Sequence, residues 1–355
     1  MHPTIPSLGG RRPEGRICTL PPATFGSALN ILSRLFAALF AFAALAAQAS
    51  PDVPPLLSPT ELQARLTQPD LRVIDIRSPK AFDKQHIRSA LSAPYSSWRG
   101  PASNPGELPD LGRLTRLVQT LGLSPATHVV VTYSGEDATD FGAAARVYWT
   151  LKVLGLKQLS ILNGGMEAWG EAGLPQDDMP LAVPASTYVP SFDTSLIATR
   201  EELQRRLVAG AAASASGARL LDARPSPFFN GQTRHAASLV PGTLKGAVNL
   251  EYTRWFAPDS ARMLPAAEVK RLADASSSAG DGDGDAVSFC NTGHWAAINW
   301  FALSELAGHK GVRMYPGSMV EWSQASGAPA TMDNVPGRAG QLLVDFKLWM
   351  DRTFN

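Results

Sequence analysis

The sequence predicts an α/β protein made of two copies of one domain, each with a parallel sheet flanked by helices. Short apolar runs typical of buried strands alternate with segments of helical spacing along most of the chain. The landmarks of the first half also recur, in the same order, in the second half. Strands that alternate with helices form parallel sheets covered on both faces, which gives the fold class.

Composition sets the size of the protein and excludes one class of partner. The chain has 355 residues, of which 45% are hydrophobic, enough for two cores at about 100–200 residues per domain. Its formal net charge is only +1, with 18% charged residues. No basic excess favours nucleic acid, so we expect none as a partner.

The N-terminus, residues 1–49, is typical of a secretory signal peptide. Arginines precede an apolar run at residues 35–47, and Ala47-Gln48-Ala49 fits a small-x-small cleavage site. The run is short for a membrane span of about 20 residues, although an uncleaved anchor stays an alternative. We therefore expect an exported, periplasmic protein without stable membrane association once processed. Arg11-Arg12 leaves twin-arginine export open beside the general route.

The first copy is expected over residues 54–180. Ser58 or Thr60 should cap its first helix, and Gly122 and Gly155 should follow the ends of two later ones. The expected strands are residues 71–77, 129–133 and 159–162, and the expected helices are residues 111–121 and 141–154.

The second copy is expected over residues 190–335, after a proline-punctuated linker near residues 181–190. Five segments of the second copy correspond, in the same order, to segments of the first copy. They are Leu220-Leu221-Asp222-Ala223-Arg224 for residues 73–77, residues 242–247 for 85–90, residues 286–289 for the strand at 129, Trp300 for Trp149, and residues 315–322 for 162–169.

Three further segments complete the chain. Residues 209–217 are rich in Ala, Ser and Gly, and residues 276–285 hold an alternating Gly-Asp run. That run lacks the spaced ligands and closing glutamate of an EF-hand, so a flexible connection is favoured over a calcium loop. Residues 336–355 form a tail whose helix, residues 342–350, should pack on a domain.

Cys290 follows the apolar run at residues 286–289 and opens a short loop that leads directly into a helical pattern through Leu306. Loop N–H groups and the positive end of a helix dipole favour a thiolate over a thiol. A nucleophilic cysteine is one interpretation, and a buried apolar cysteine at a strand end is the other.

Cysteine usage favours the nucleophile. The chain has two cysteines, and Cys18 lies in the segment expected to be removed. A single cysteine in an oxidising compartment forms no internal disulfide, and an exposed odd thiol is a liability there. A lone cysteine at a strand-loop-helix junction is therefore better explained by a chemical role than by a structural one.

The duplicated domain, its Asp-x-Arg strand ends and a cysteine loop in the second copy alone resemble the tandem-domain rhodanese sulfurtransferases. The resemblance covers nearly all of the mature chain. It implies a five-stranded parallel sheet per domain, a persulfide carried on Cys290, and no metal or organic cofactor. It also implies that thiosulfate donates sulfur to a thiophilic acceptor such as cyanide or a thiol.

The loop provides candidate site residues. Inward N–H groups from Asn291 to Ala296 would stabilise both the thiolate and the persulfide, and Gly293 permits a positive φ. Thr292 and His294 either donate hydrogen bonds from their side chains or only shape the loop. Trp295 either forms a wall of the site or packs toward the domain interface. Trp98 and Trp255 are either cleft walls or core.

In the resembled family, basic residues hold the donor anion. Here Phe228 stands where an arginine would be expected, and the candidates that remain are Arg224, Arg234, His235 and Lys245. Arg224 could instead pair with a carboxylate, as Arg77 could in the first copy. The first copy has no cysteine at its loop, and Glu136, Asp137 and Asp140 would repel an anion there. We expect it to form a wall of the cleft, with Ser134 taking no part in the chemistry.

Other functions stay open at this point. A cysteine phosphatase or arsenate reductase needs an arginine closing the loop, whereas Ala296 and Ala297 stand there. 3-Mercaptopyruvate could replace thiosulfate as the donor, and a protein could replace a small molecule as the acceptor. A non-catalytic periplasmic binding or sulfur-carrier module is the alternative from another class.

Overall fold

The computed structural model describes residues 53–208, 218–276 and 285–354. The strands of the first sheet are β1 Leu56–Leu57, β2 Leu71–Asp75, β4 Ala90–Ser92, β5 His128–Thr132 and β6 Leu159–Leu162, and β3 His86–Ile87 pairs antiparallel with β7 Gln176–Asp177 outside this sheet. These five strands are parallel and lie in the order β1-β6-β5-β2-β4. Every residue of β5 and β6 is buried, as expected for central strands of a covered parallel sheet.

The second sheet repeats this arrangement with one strand fewer. Its strands are β8 Arg219–Asp222, β10 Val248–Asn249, β11 Ala286–Phe289 and β12 Val312–Met314, and β9 Thr243–Leu244 pairs antiparallel with β13 Met332–Asp333. The four strands of the sheet are parallel and lie in the order β10-β8-β11-β12. A fifth strand was expected here. Instead, Ile197 makes one isolated parallel bridge to Met314, because a 3₁₀ turn ends just before it and a helix begins at Arg200.

Helices cover both sheets. In chain order they are α1 Pro59–Gln63, α2 Pro79–Lys84, α3 Leu111–Thr120, α4 Ala138–Val153, α5 Gly165–Glu171, α6 Arg200–Val208, α7 Ser226–Phe229, α8 Ala266–Ser276, α9 Trp295–Trp300, α10 Ser318–Gln324 and α11 Arg338–Phe354. Ser58 caps α1 in a capping box with Glu61, and Gly122 follows the end of α3 with a φ of 65°. Both cap predictions are confirmed.

The two copies share one core, in which α4 lies against α9. Nearly all of α4 is buried, and α9 continues as a π-helical stretch over Phe301–Leu306. Phe301 makes edge-on ring contacts with Phe141 and Tyr148, at centroid distances of 5.8 and 5.0 Å. Each such pair contributes about 0.5–1.5 kcal/mol beyond its buried area, so the helix after Cys290 is held by the first copy.

The predicted signal peptide, the Ala/Ser/Gly segment and most of the Gly-Asp run lie outside the described residues. Helix α11 is longer than predicted, and most of its apolar side chains are exposed. Among the described residues, no helix has the length and apolarity needed to span a membrane. The same residues contain no group of three or more His, Cys, Asp or Glu side chains placed to hold a metal ion.

Candidate active site

Cys290 lies immediately after β11, at the carboxyl edge of the second sheet, and α9 begins five residues later. Ligand sites of open parallel α/β sheets lie at this edge. The Cys290 side chain is only 1% exposed and packs against the shared core. Burial alone would suit a structural cysteine, so the loop around it must decide between the two interpretations.

The loop is anchored by Ser318, the first residue of α10. Its hydroxyl oxygen accepts hydrogen bonds from the backbone N–H groups of Cys290, at 3.0 Å, and Gly293, at 3.2 Å. The hydroxyl donates to the carbonyl of Tyr315 at 2.8 Å. Ser318 has a φ of 54°, a left-handed conformation that costs a non-glycine residue about 1–2 kcal/mol. Its hydroxyl therefore provides a hydrogen-bond network that a glycine there would lack.

The remaining N–H groups of the loop point to an anion site. We expected all of them from Asn291 to Ala296 to serve the sulfur, but Ser318 satisfies that of Gly293. Within the part of the chain the structure describes, no protein acceptor binds the other N–H groups, those of Asn291, Thr292, His294, Trp295 and Ala296. Unpaired N–H groups at a helix start favour a bound anion.

Gly293 has a φ of 68°, as the sequence predicts. A Cβ atom there would lie 2.2 Å from a guanidinium nitrogen of Arg146 and 2.6 Å from the carbonyl oxygen of Pro316. Both the conformation and the crowding require glycine at this position.

His294 is directed into the first copy. Its Nε2 donates to the carbonyl of Thr139 at 2.6 Å, so its Nδ1 accepts from the Tyr95 hydroxyl at 2.8 Å. Burial and the charge of Arg99 lower its pKa to about 4, so the ring is neutral at pH 7. Gly142 leaves room for the ring, because a Cβ there would lie 2.7 Å from it. The side chain of His294 therefore fixes the loop against the first copy and does not donate to the sulfur.

Three aromatic rings form one side of the site. Trp295 stacks on Tyr252, with 4.9 Å between centroids and 3° between planes, and meets Phe228 edge-on at 5.9 Å. Phe228, in the position expected for an arginine, is thus part of an aromatic wall. Trp98 and Trp255 are fully buried and belong to the core.

Two arginines of the first copy bring positive charge to the cysteine loop. Arg99 donates to the carbonyl of Thr292 at 2.9 Å, and Arg146, fully buried, donates to the carbonyl of Gly293 at 3.4 Å. Burial lowers the pKa of Arg146 to about 9, which leaves it charged at pH 7. Sequence reasoning missed both residues. The sequence does mark Arg146 as unusual, because it is a charged residue inside an otherwise apolar helical pattern.

Arg224 does not offer a free charge. Its guanidinium forms a buried ion pair with Asp222 at 2.6 Å and donates to the carbonyl of Gly242. It also donates to the Asn291 side chain at 3.4 Å, so it supports the loop instead of binding the donor. In the first copy Arg77 pairs with Asp75 and with the carbonyl of Gln85 in the same way.

The other candidate donor-binding residues lie in different settings. Arg234 pairs with Asp345 of α11 at 2.8 Å and donates to nearby carbonyls. Lys245 is exposed beside the β9-β13 pair. His235 is half-buried, and its pKa is lowered by burial and by the charge of Arg99. Of the candidates Arg234, His235 and Lys245, His235 is the one close enough to Arg99, which donates to the loop, for that charge to affect its pKa.

The first copy has a tyrosine where the second has its cysteine. Asp75 pairs with Thr132 in the register in which Asp222 pairs with Phe289, so Tyr133 is the counterpart of Cys290. Tyr133 is fully buried and donates its hydroxyl to the carbonyl of Ala261.

The acidic loop of the first copy borders a cavity of about 610 Å³. Glu136 and Asp137 line it from the first copy, and Tyr252, Phe256 and Asp259 line it from the second. Its three carboxylates would repel an anion, and that this loop does not bind the donor stays a prediction.

Comparison with protein families identifies the fold. The rhodanese-like domain matches the chain twice, over residues 58–172 and 199–325. The chain belongs to the rhodanese family. Its two sheets are the two rhodanese domains, and the cysteine loop lies in the second.

Curated relatives include sulfurtransferases. A thiosulfate sulfurtransferase of Pseudomonas aeruginosa is 32% identical and covers 78% of this chain and 97% of its own length. A probable 3-mercaptopyruvate sulfurtransferase of the same organism is also 32% identical, over 75% of this chain and 94% of its own length. Among solved structures, the Tum1 protein of Saccharomyces cerevisiae superposes with a TM-score of 0.65 at 22% identity, covering 81% of this chain and all of its own. That structural likeness concerns the fold alone.

Proposed function

We propose that this rhodanese is a sulfurtransferase that moves a sulfane sulfur from thiosulfate to a thiophilic acceptor through a persulfide on Cys290. One observation carries the proposal. Cys290 lies in a loop with several N–H groups that have no acceptor among the described residues, and arginines of both copies donate hydrogen bonds to that loop. A structural cysteine would need neither feature.

In the first step the Cys290 thiolate attacks the outer sulfur of thiosulfate. A bond forms between Sγ and that sulfur, the sulfur–sulfur bond of thiosulfate breaks, and sulfite leaves with the bonding electron pair. The product is a persulfide anion on Cys290. We propose that loop N–H groups with no acceptor among the described residues, such as those of Thr292, Trp295 and Ala296, stabilise its charge.

In the second step cyanide, or a thiolate, attacks the outer sulfur of the persulfide. With cyanide, a carbon–sulfur bond forms, the sulfur–sulfur bond breaks, and the electron pair returns to Cys290 as thiolate while thiocyanate leaves. Transfer through a covalent intermediate predicts ping-pong kinetics.

The first domain supplies the charge that attracts the donor. Arg224 is neutralised by Asp222, whereas Arg99 and Arg146 have no ion-pair partner within the described chain. Two cations beside the loop suit a dianion such as thiosulfate. We propose Arg99 as the donor-binding residue, because it is only partly buried, and Arg146 as a fixed background charge.

3-Mercaptopyruvate is the alternative donor. Its leaving group is a carbanion equivalent that must take up a proton to become pyruvate, whereas sulfite leaves without one. The histidine of the loop is bonded to Thr139 and Tyr95 and cannot supply that proton. The thiol proton of 3-mercaptopyruvate balances this step once it is relayed to the carbon, and the hydroxyl of Thr292 is the loop group left to relay it. Thiosulfate needs no such relay and is therefore favoured.

A carrier role is the second candidate function. A relative named sulfur carrier protein TtuD, from Thermus thermophilus, is 28% identical over 79% of this chain and 97% of its own length. A carrier would form the same persulfide and pass it to a protein acceptor. A non-catalytic binding module would form none.

Intact-protein mass spectrometry before and after thiosulfate, and again after cyanide, tests the proposal. We expect the gain of one sulfur atom on the wild-type protein, and its removal by cyanide. Cys290→Ser is the matched control, since it also excludes sulfur on Cys18. A gain only with 3-mercaptopyruvate would change the donor, and a gain that cyanide leaves in place would show that the added mass is not a persulfide and would contradict the proposal. No gain with either donor would refute sulfur transfer.

We also propose, from residues 1–49, that the protein is exported to the periplasm. N-terminal sequencing of the protein from fractionated cells tests this. A mature N-terminus at Ser50 in the periplasmic fraction is expected, and a cytoplasmic chain that keeps residues 1–49 would refute it.

A further inference from the structure

Helix α11 presents a continuous apolar face to solvent. Leu342, Phe346 and Trp349 are 62%, 58% and 53% exposed, and Leu343, Met350 and Phe354 continue the face toward one side. At 100° per residue these six side chains cover less than half of the helix circumference. Only Val344, on the opposite side, is fully buried. We call these six exposed residues the tail face.

The tail face is large for a monomer surface. At about 150–250 Å² for each of the three aromatic side chains, and about 150 Å² for each of Leu342, Leu343 and Met350, the exposed fractions of the six amount to roughly 600 Å². Contiguous apolar patches on monomers reach about 300–600 Å² and are often functional. The aromatic rings contact one another, as in the 5.9 Å pair of Phe346 and Trp349, but this covers little of their outer surface.

We propose that the tail face is an interface between two copies of this chain. Two such faces would bury roughly 1,200 Å² in total, the lower end of the range for specific interfaces. Exposed Trp and Phe in the middle of an apolar patch are the residues that dominate binding energy in interfaces. A face that pairs with itself gives a closed two-fold dimer.

Charges at the edges of the tail face specify how the helices pair. Asp345 and Arg352 lie along one edge, and Lys347 and Asp351 lie along the other. Both pairs straddle Trp349. An antiparallel pairing centred there places Asp345 opposite Arg352 of the partner subunit and Lys347 opposite Asp351 of the partner subunit. Each contact then joins opposite charges, as in antiparallel coiled coils.

The same charges disfavour a lipid surface. Helices that lie on membranes carry Lys and Arg along the polar face, whereas two aspartates stand beside the tail face. One of them, Asp345, also pairs with Arg234 and so fixes α11 to the second domain. A rigidly mounted face with balanced charge suits a second copy of this chain.

Sedimentation equilibrium of the purified full-length protein tests the proposal. We expect a dimer for the wild type and a monomer for Trp349→Glu, with at least a tenfold rise in the dissociation constant. Val189→Glu adds the same charge at another exposed apolar side chain, 74% exposed, and should leave the dimer intact. Unchanged circular dichroism of each variant shows that it folds. A wild type that stays monomeric, or a Trp349→Glu dimer as stable as the wild type, would overturn the proposal.

A charge reversal tests the antiparallel arrangement. Lys347→Asp should weaken the dimer by setting two aspartates against each other, and adding Asp351→Lys should restore it. Loss without recovery in the double variant would overturn this arrangement. Binding of monomeric wild type, but not of Trp349→Glu, to vesicles of phosphatidylcholine and phosphatidylglycerol would assign the face to lipid and overturn the dimer.

Discussion

Replacing Ser318 with alanine tests whether its hydroxyl holds the cysteine loop. The change removes three hydrogen bonds, two accepted from Cys290 and Gly293 and one donated to Tyr315. At about 1 kcal/mol for each hydrogen bond, Ser318→Ala should lower the free energy of unfolding by about 3 kcal/mol. The positive φ of Ser318 stays strained, because alanine also has a Cβ atom.

Ser318→Gly is the matched control. It removes the same hydrogen bonds but relieves a strain of about 1–2 kcal/mol, part of which is offset by the greater freedom of glycine in the unfolded chain. The first domain has Gly165 at the corresponding position, with a φ of 58°. We therefore expect stability in the order serine, glycine, alanine, with glycine above alanine by up to about 1 kcal/mol.

Urea unfolding gives the stability of the three proteins, and the rate of persulfide formation from thiosulfate gives the function. Both variants should form the persulfide more slowly than the wild type, because the N–H groups of the loop lose their anchor. An alanine variant as stable as the wild type, or a glycine variant less stable than alanine, would refute this account. Slow transfer in alanine with normal transfer in glycine would assign the effect to strain alone.

Three further predictions concern the charge, the repeat and the histidine. Arg99→Gln should raise the KM for thiosulfate about tenfold, because one charge-assisted interaction is lost. The control Lys157→Gln, at an exposed residue, should leave the KM unchanged. A KM of Arg99→Gln equal to that of the wild type would show that Arg99 is not in the donor site. Tyr133→Cys should gain no second sulfur from thiosulfate in mass spectrometry, because the acidic loop beside it repels the donor; a second persulfide would contradict that reading. His294 is neutral in the folded protein, with a pKa of about 4 against about 6.5 in the unfolded chain. Its contribution to the free energy of unfolding should therefore be fully present above pH 6.5. About 2–3 kcal/mol should be lost in urea unfolding as the pH falls to 4, and His294→Gln should not show this loss.

The sequence was sufficient for the repeated fold because its signals are local. Buried strands such as Leu159–Leu162 and Ala286–Phe289 are continuous apolar runs, and the glycines after α3 and α4 mark where those helices end. The expectation of a fifth strand in the second sheet, which came from the family resemblance, was wrong, because Ile197 joins that sheet by a single bridge. One residue between two helical turns has no strand pattern in the sequence.

The candidate site was predictable only in part. Cys290 and Gly293 stand within one continuous motif, and their local roles follow from it. Arg99 and Arg146 reach the loop from nearly 150 to 200 residues away in the chain, and the direction of a side chain across a domain interface has no sequence period. His294 was ambiguous for the same reason, since its partners Tyr95 and Thr139 belong to the other domain.

The bonds of His294 to Tyr95 and Thr139 make activity depend on the order of assembly. Each sheet can form from its own segment of chain, and Ser318 of the same domain anchors the loop after β11. The loop acquires its partners from the first domain only when the two domains dock. Docking of domains takes milliseconds to minutes, slower than the formation of helices. During refolding, the capacity to take up sulfur should therefore return later than the helical circular dichroism signal, and the delay measures domain association.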